Sequence, residues 1–326
     1  MTELENRIIQ CAEELLETGA AARVVGLRKS EFAIDVSPAV FCDKEELKEF
    51  VYNDFCGANL SKYLIQVSKA EGKTAVFLKP CDTYSFNQLV KEHRIDREKI
   101  IVVGVECHGK IDNYKLAANK IDGITSEKTV KDDFVFETLF GQKTVKRNDV
   151  LLDRCLTCKS KKFAVCDKEI VVTPMTETNA DRFLQVKEIE AMSPEQRFAF
   201  FRKELSKCIR CNACRNVCPA CTCVKCVFDN VDSGISAKAN DDAFEEKLFH
   251  IIRAFHVSGR CTDCGECSRV CPQRIPLHLF NRKFILDIDR FYGEYQAGES
   301  SEGKTPLTEY TQADIEPNDA VHGEKK

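Results

Sequence analysis

No apolar run in these 326 residues approaches the roughly 20 needed to cross a bilayer. The opening residues, MTELENRIIQCAEELLE, are charged and amphipathic, with no basic stretch leading into an apolar core, so they do not read as a secretory signal. Basic residues are not in excess: 48 Lys and Arg stand against 52 Asp and Glu, a formal charge of -4. That balance gives no reason to expect a nucleic acid or an anionic lipid surface as the main partner. These absences leave a chain without a transmembrane segment, expected in the reducing cytoplasm.

Cysteine is what the chain has in quantity, 19 residues in all. In a reducing compartment so many thiols more often hold metal than disulfides, and disulfide scaffolds are usually short secreted chains. The odd count agrees with that reading.

Residues 208–219 read CIRCNACRNVCP and residues 261–272 read CTDCGECSRVCP, so the pattern C-x-x-C-x-x-C-x-x-x-C-P occurs twice. It places three thiolates on one compact loop and sends the fourth away with the next turn of chain, the arrangement of two-cluster ferredoxins. There the fourth cysteine of each run serves the other cluster. The expected sets are therefore Cys208, Cys211, Cys214 and Cys271 for one [4Fe-4S] cluster, and Cys261, Cys264, Cys267 and Cys218 for the second. Four thiolates also suit tetrahedral zinc, but the doubled run ending in Cys-Pro points to iron and sulfide. ACTCVKC adds Cys221, Cys223 and Cys226, one thiolate short of a full set, and these are read as loop cysteines without a metal.

The pattern along the chain predicts an α/β N-terminal domain followed by a mainly α-helical dicluster ferredoxin domain. In the first half, helical spacing covers Asn6 to Glu17, Asp43 with Glu46 forms a capping box, and a helix is expected from Leu60 to Ala70. Runs at Thr74 to Lys79, Lys99 to Val105 and Glu169 to Thr173 read as strands, and Asp82 is expected to cap a helix carrying Phe86, Leu89 and Val90. Strand, helix, strand at this spacing suggests a parallel βαβ unit. Near residue 190, Ser193, Pro194 and Gln196 form a helix start, and helices are expected over Phe198 to Ser206, Phe244 to Val257 and Pro276 to Tyr292. The boundaries are 1–189, 190–292 and, from 293 to 326, a disordered polar tail. His250 and His256 are read as packing or surface residues, Lys79 as exposed, and Cys11, Cys42 and Cys56 as small buried hydrophobes.

Cys81 follows the first βαβ strand in FLKPCD, Cys107 follows the second in VECHGK, and Cys155 with Cys158 form CLTC. Carboxyl ends of neighbouring parallel strands are where ligands gather, and the C-x-x-C pair alone could be redox-active or hold zinc with Cys166 or His108. On Pro80 with Cys81, on Cys107 in GVECHG, and on Cys155 with Cys158, the chain resembles the beta-subunit family of deazaflavin-dependent (coenzyme F-420) hydrogenases and dehydrogenases, over about residues 18–175. The helical module resembles that of heterodisulfide reductase C subunits and succinate dehydrogenase iron-sulfur subunits. The first resemblance implies a third [4Fe-4S] cluster on Cys81, Cys107, Cys155 and Cys158, with Cys166 as the substitute for Cys81. That family also binds FAD, whereas the Gly-rich opening expected before the first strand is absent here. The resulting expectation is an electron-transfer subunit of a soluble anaerobic oxidoreductase complex. Its partners would be hydrogenase, formate dehydrogenase or heterodisulfide reductase-like subunits. The alternative is a flavin-containing subunit that converts hydride from a deazaflavin or nicotinamide into single electrons.

Overall fold

The structure, a computed structural model, describes residues 2–229 and 243–308. It divides into two compact units, Met1–Phe86 with His93–Ala180, and Asn87–Glu92 with Asp181–Lys326.

In the first unit, α1 (Glu3–Glu17) precedes the hairpin β1 (Arg23–Lys29) and β2 (Val36–Phe41), then α2 (Leu64–Val67), β3 (Thr74–Leu78), α3 (Pro80–Lys91), β4 (Ile100–Val105) and α4 (Asn113–Ala118). Strands β5 (Ile124–Val130), β6 (Asp133–Thr138) and β7 (Gly141–Lys146) follow, then α5 (Arg147–Val150), α6 (Asp153–Leu156) and β8 (Lys168–Ile170). The main sheet has the order β2-β1-β3-β4-β8. β1, β3, β4 and β8 run parallel, and β2 returns antiparallel on β1. The β3 sequence TAVFL is buried at every position, as a central strand covered on both faces must be, and each large side chain there contributes roughly 1.5–3 kcal/mol. Gly26 in β1 has no alternative, since a Cβ would stand 2.1 Å from the Phe50 ring.

The three-stranded antiparallel sheet β5-β6-β7 was not anticipated. Phe134 and Phe136, two residues apart on β6, point to one face and are fully buried with Phe55, Ile111 and Leu116. Asp82 is not a cap: it lies in the first turn of α3, buried and paired with Lys79 at 2.7 Å. Lys79 is therefore not exposed. Its ammonium also donates to the Ala58 carbonyl, so its burial is matched by hydrogen bonds. Asp43 does accept the Glu46 amide, but the helix it opens is one short 3-10 turn. Cys11 and Cys56 are buried as expected, whereas Cys42 is exposed.

In the second unit the described elements are helical: α7 (Leu184–Glu190), α8 (Pro194–Leu205), α9 (Ala213–Asn216), α10 (Ala243–His256), α11 (Glu266–Arg269) and α12 (Leu277–Tyr292). The α8 start is a full capping box. Ser193 Oγ accepts the Gln196 amide, Gln196 returns the bond to the Ser193 amide, and Pro194 needs no partner at N1. Arg282 on α12 pairs with Asp263 at 2.8 Å, both almost fully buried, which fastens α12 to the second cysteine run. Removing either partner would cost roughly 3–5 kcal/mol through the charge left behind. Of the segment expected as a tail, residues to 308 are described. Ala297 in it is buried, and Gln296 accepts a bond from Arg182. Residues 309–326 lie outside the described residues. Among the described residues no helix is long and apolar enough to cross a membrane.

Candidate metal centres

The two cysteine runs share one backbone course. The third residue of each, Arg210 and Asp263, takes φ 55°, and the fifth, Asn212 and Gly265, takes φ 60° and 64°. These left-handed positions precede the single turns α9 and α11, which carry Cys214 and Cys267. Asn and Gly are the residues that accept this conformation at least cost. Alternation of left- and right-handed residues turns successive amides inward, forming a concavity suited to an anion or an iron-sulfur cluster. The Arg210 amide accordingly donates to Cys208 Sγ at 3.4 Å, and the Ile275 amide to Cys271 Sγ at 3.4 Å.

Two cavities lie beside these loops. One, with about 330 Å³ of empty space, is lined by Cys208, Cys211, Cys214 and Cys271, walled by Phe249, Ile275 and Leu277. The other, about 360 Å³, is lined by Cys261, Cys264, Cys267 and Cys218, together with His278 and Asn281. Each cavity thus takes three cysteines from one run and the fourth from the other. Among the described residues no three His, Cys, Asp or Glu side chains converge closely enough for a single metal ion.

The polar lining fits a polynuclear anionic group. His250 is 2 % exposed, and neither ring nitrogen has a hydrogen-bond partner among the described residues, a costly state for a buried imidazole beside an empty space. Burial, then Arg253 and Arg210, push its pKa down to about 3, so the ring is neutral and carries one N–H donor. Arg253 is 4 % exposed and donates to the Cys214 carbonyl at 3.2 Å. Burial pulls its pKa down, but Cys218, Cys267, Cys214 and Cys221 together hold it above the ordinary arginine value. A permanent cation therefore faces thiols of both cavities. Asn281 Nδ2 approaches Cys267 Sγ at 3.8 Å. Burial raises the thiol pKa of Cys267 to about 11 and holds that of Cys261 well above the ordinary thiol value, so metal rather than solvent must supply the charge that deprotonates them.

In the first unit, Cys81 opens α3 after β3, Cys107 follows β4, and Cys155 and Cys158 lie in and after α6. Lys161 gathers them. Burial lowers its pKa, but Cys107, Cys158, Cys155 and Cys81 raise it above the usual value, and its ammonium donates to the Cys107 carbonyl at 2.8 Å. Burial raises the pKa of Cys81, and so does Asp82, while Lys79 and Arg154 oppose the rise. Arg154 is nearly buried and anchored on the Gly57 carbonyl. Four thiols among three buried or half-buried cations are a donor set suited to an anionic cluster. Gly109, at φ 120°, must be glycine here: a Cβ would stand 3.0 Å from Leu151 and 3.6 Å from Cys155. Cys166 instead faces Glu169 and Asp167. Of the ACTCVKC thiols, Cys221 packs with Cys218 and Cys261, Cys226 packs beside Cys214 and Cys271, and Cys223 is exposed.

Sequence reasoning missed Arg253, Arg154, Lys161 and the cavity role of His250. Arg253 had one detectable signal: it falls on the apolar stripe of α10 beside Phe249 and Ile252, where an arginine is out of place.

Residues 204–275 match the model of the 4Fe-4S dicluster domain family. The chain is 25 % identical to the F420-dependent formate dehydrogenase subunit beta of Methanocaldococcus jannaschii, over 82 % of this chain and 85 % of that one. It is 23 % identical to the F420-dependent formate dehydrogenase 1 subunit beta of Methanococcus maripaludis, over 68 % and 73 %. Among solved structures, a chain of the F420-reducing [NiFe] hydrogenase complex from Methanosarcina barkeri matches with a TM-score of 0.38 and 15 % identity, over 47 % of this chain and less than two thirds, 62 %, of that one. The chain is thus a homologue, over most of its length, of F420-dependent formate dehydrogenase beta subunits, and it carries a 4Fe-4S dicluster domain.

Proposed function

We propose that the chain is an iron-sulfur electron-transfer subunit of an oxidoreductase complex in the cytoplasm, with a formate dehydrogenase-like or related redox subunit as its partner. Two [4Fe-4S] clusters sit in the mainly helical second unit, on Cys208, Cys211, Cys214 and Cys271 and on Cys261, Cys264, Cys267 and Cys218. A third sits in the first unit on Cys81, Cys107, Cys155 and Cys158. The observation that carries this reading is the pair of cysteine-lined cavities, each completed by the distant cysteine of the other run.

When bound, the clusters supply one-electron oxidation and reduction. The protein's part is to hold them, exclude water and set their charge environment. Phe249, Ile275 and Leu277 keep water from the Cys208 cavity, and the Arg210 and Ile275 amides donate to its thiolates. Arg253 offsets negative charge at both cavities. In the first unit Lys79, Arg154 and Lys161 do the same.

Anaerobic purification with iron and sulfide analysis tests the reading. About twelve irons per chain are expected for three cubes, and zinc without sulfide would overturn it. Denaturing the same preparation for released flavin separates the wire from the hydride-converting alternative. No flavin is expected.

A further inference from the structure

Three residues on one face of α10, Phe249, His250 and Arg253, reach the first cysteine run. Phe249 and His250 line the cavity of Cys208, Cys211, Cys214 and Cys271, and Arg253 donates to the Cys214 carbonyl at 3.2 Å. Phe249 serves there as an apolar wall, and Arg253 has its carbonyl. His250 is different. It is 2 % exposed, and neither Nδ1 nor Nε2 has a hydrogen-bond partner among the described residues. Buried polar side-chain atoms are nearly always bonded, and one that is not carries the full desolvation penalty of its group. The sequence reading of His250 as a packing residue leaves that penalty unexplained.

The surroundings of the ring narrow what it can meet. An imidazole carries at least one N–H in either protonation state. The Phe249 ring meets it at 5.0 Å and 80°, a contact that holds its plane without offering a lone pair. Arg253 and Arg210, the charged groups that act on it, are donors only. Asn212 and Gln273 also line the cavity, and neither bonds the ring. The remaining side-chain heteroatoms of that lining are the four cysteine sulfurs, which on iron become anionic acceptors. In the other cavity such a contact is already made: Asn281 of α12 lines it and directs Nδ2 to Cys267 Sγ at 3.8 Å.

We propose that His250 donates a hydrogen bond to sulfur of the cluster held by Cys208, Cys211, Cys214 and Cys271, and that this bond raises the midpoint potential of that cluster. This rests on the two-cluster reading above. A donor at sulfur withdraws electron density, and the bond strengthens as the cluster gains an electron and a negative charge. It therefore favours the reduced form, and the dry lining of the cavity increases the effect. The imidazole does not bind iron, because four cysteines fill the ligand set, and no proton leaves the ring.

A dithionite titration of the full-length holoprotein, followed by electron paramagnetic resonance, tests the bond. Cys211→Ser perturbs the signal of the Cys208 cavity and so identifies it. His250→Phe keeps an aromatic ring and removes the N–H. It should lower that midpoint by about tenfold in its one-electron equilibrium, which is about 59 mV. The midpoint of the Cys261 cavity and the iron content should not change. His250→Gln, which returns an N–H donor to the same helix position, should restore most of the shift. In the wild-type protein carrying nitrogen-15-labelled histidine, pulsed resonance on the identified signal should show a weak nitrogen coupling, a measurement that needs no variant to fold. The proposal is overturned if His250→Phe leaves that midpoint in place or moves the Cys261 signal instead. It is also overturned if the coupling is absent, or as large as that of an iron-bound nitrogen. Wild-type iron below about eight per chain would overturn the two-cluster reading itself, so the two failures are distinguishable.

Discussion

Cys218 and Cys271 each lie four residues after the third cysteine of their own run, yet each lines the cavity built by the other run. The Cys-Pro position follows a short helical turn that leads away from its own loop, so its sulfur meets the opposite group. Cys218→Ala should therefore damage the cluster held by Cys261, Cys264 and Cys267, while Cys211→Ala should damage the other. Loss of one thiolate opens one iron and favours a three-iron product, so paramagnetic resonance of the two variants should show different signals perturbed. Loss of the same signal in both variants would refute crossed ligation. The cysteine spacing made these sets legible in the sequence. The charged residues around them were not, because Arg253, Arg154 and Lys161 reach the thiols through the tertiary fold and belong to no local pattern.

Among elements, legibility followed burial. β3 and β4 are continuous apolar runs, and α10 and α12 are strongly amphipathic, so each could be read from its period. β5 and β7 are mostly exposed and polar, and β6 carries the buried face almost alone. Its signal was the alternation DFVFET followed by a turn at Gly141. That sheet contains a built-in strain of charge. Glu127 on β5 accepts the Asp54 amide at 3.2 Å, and burial first, then the Asp54 carboxylate, raises its pKa to about 6. A raised folded-state pKa means that stability is fully present below the unfolded value near 4.5 and is lost as pH rises through about 6. Glu127→Gln, which cannot ionise, should therefore stabilise the protein at pH 7.5 by roughly 1 kcal/mol, with the gain shrinking as pH falls towards 5. Thermal unfolding of both proteins across that range decides it. A variant less stable at pH 7.5 would show that the Lys110 and Arg147 attractions dominate.

At the scale of the molecule, the two units share no cysteine among the proposed ligand sets, so their clusters should be lost independently. Cys81, Cys107, Cys155 and Cys158 all act on Lys161, while Cys166 is turned to Glu169 and Asp167. Cys155→Ser should accordingly reduce iron from about twelve to about eight per chain and leave both signals of the second unit at their wild-type potentials. The protein should remain folded, since the first unit keeps its five-stranded sheet, and Cys155 only borders the Phe134 and Phe136 core as a half-buried side chain. Gly109 stands against Cys155, so the replacement must be no larger than the thiol, which serine satisfies. Cys166→Ser supplies the contrast: iron should stay at about twelve, because its thiol faces carboxylates that would repel a negatively charged cluster. Iron unchanged in Cys155→Ser but reduced in Cys166→Ser would transfer the fourth ligand to Cys166, and it would mean that the cations around Lys161 serve only to neutralise buried thiols.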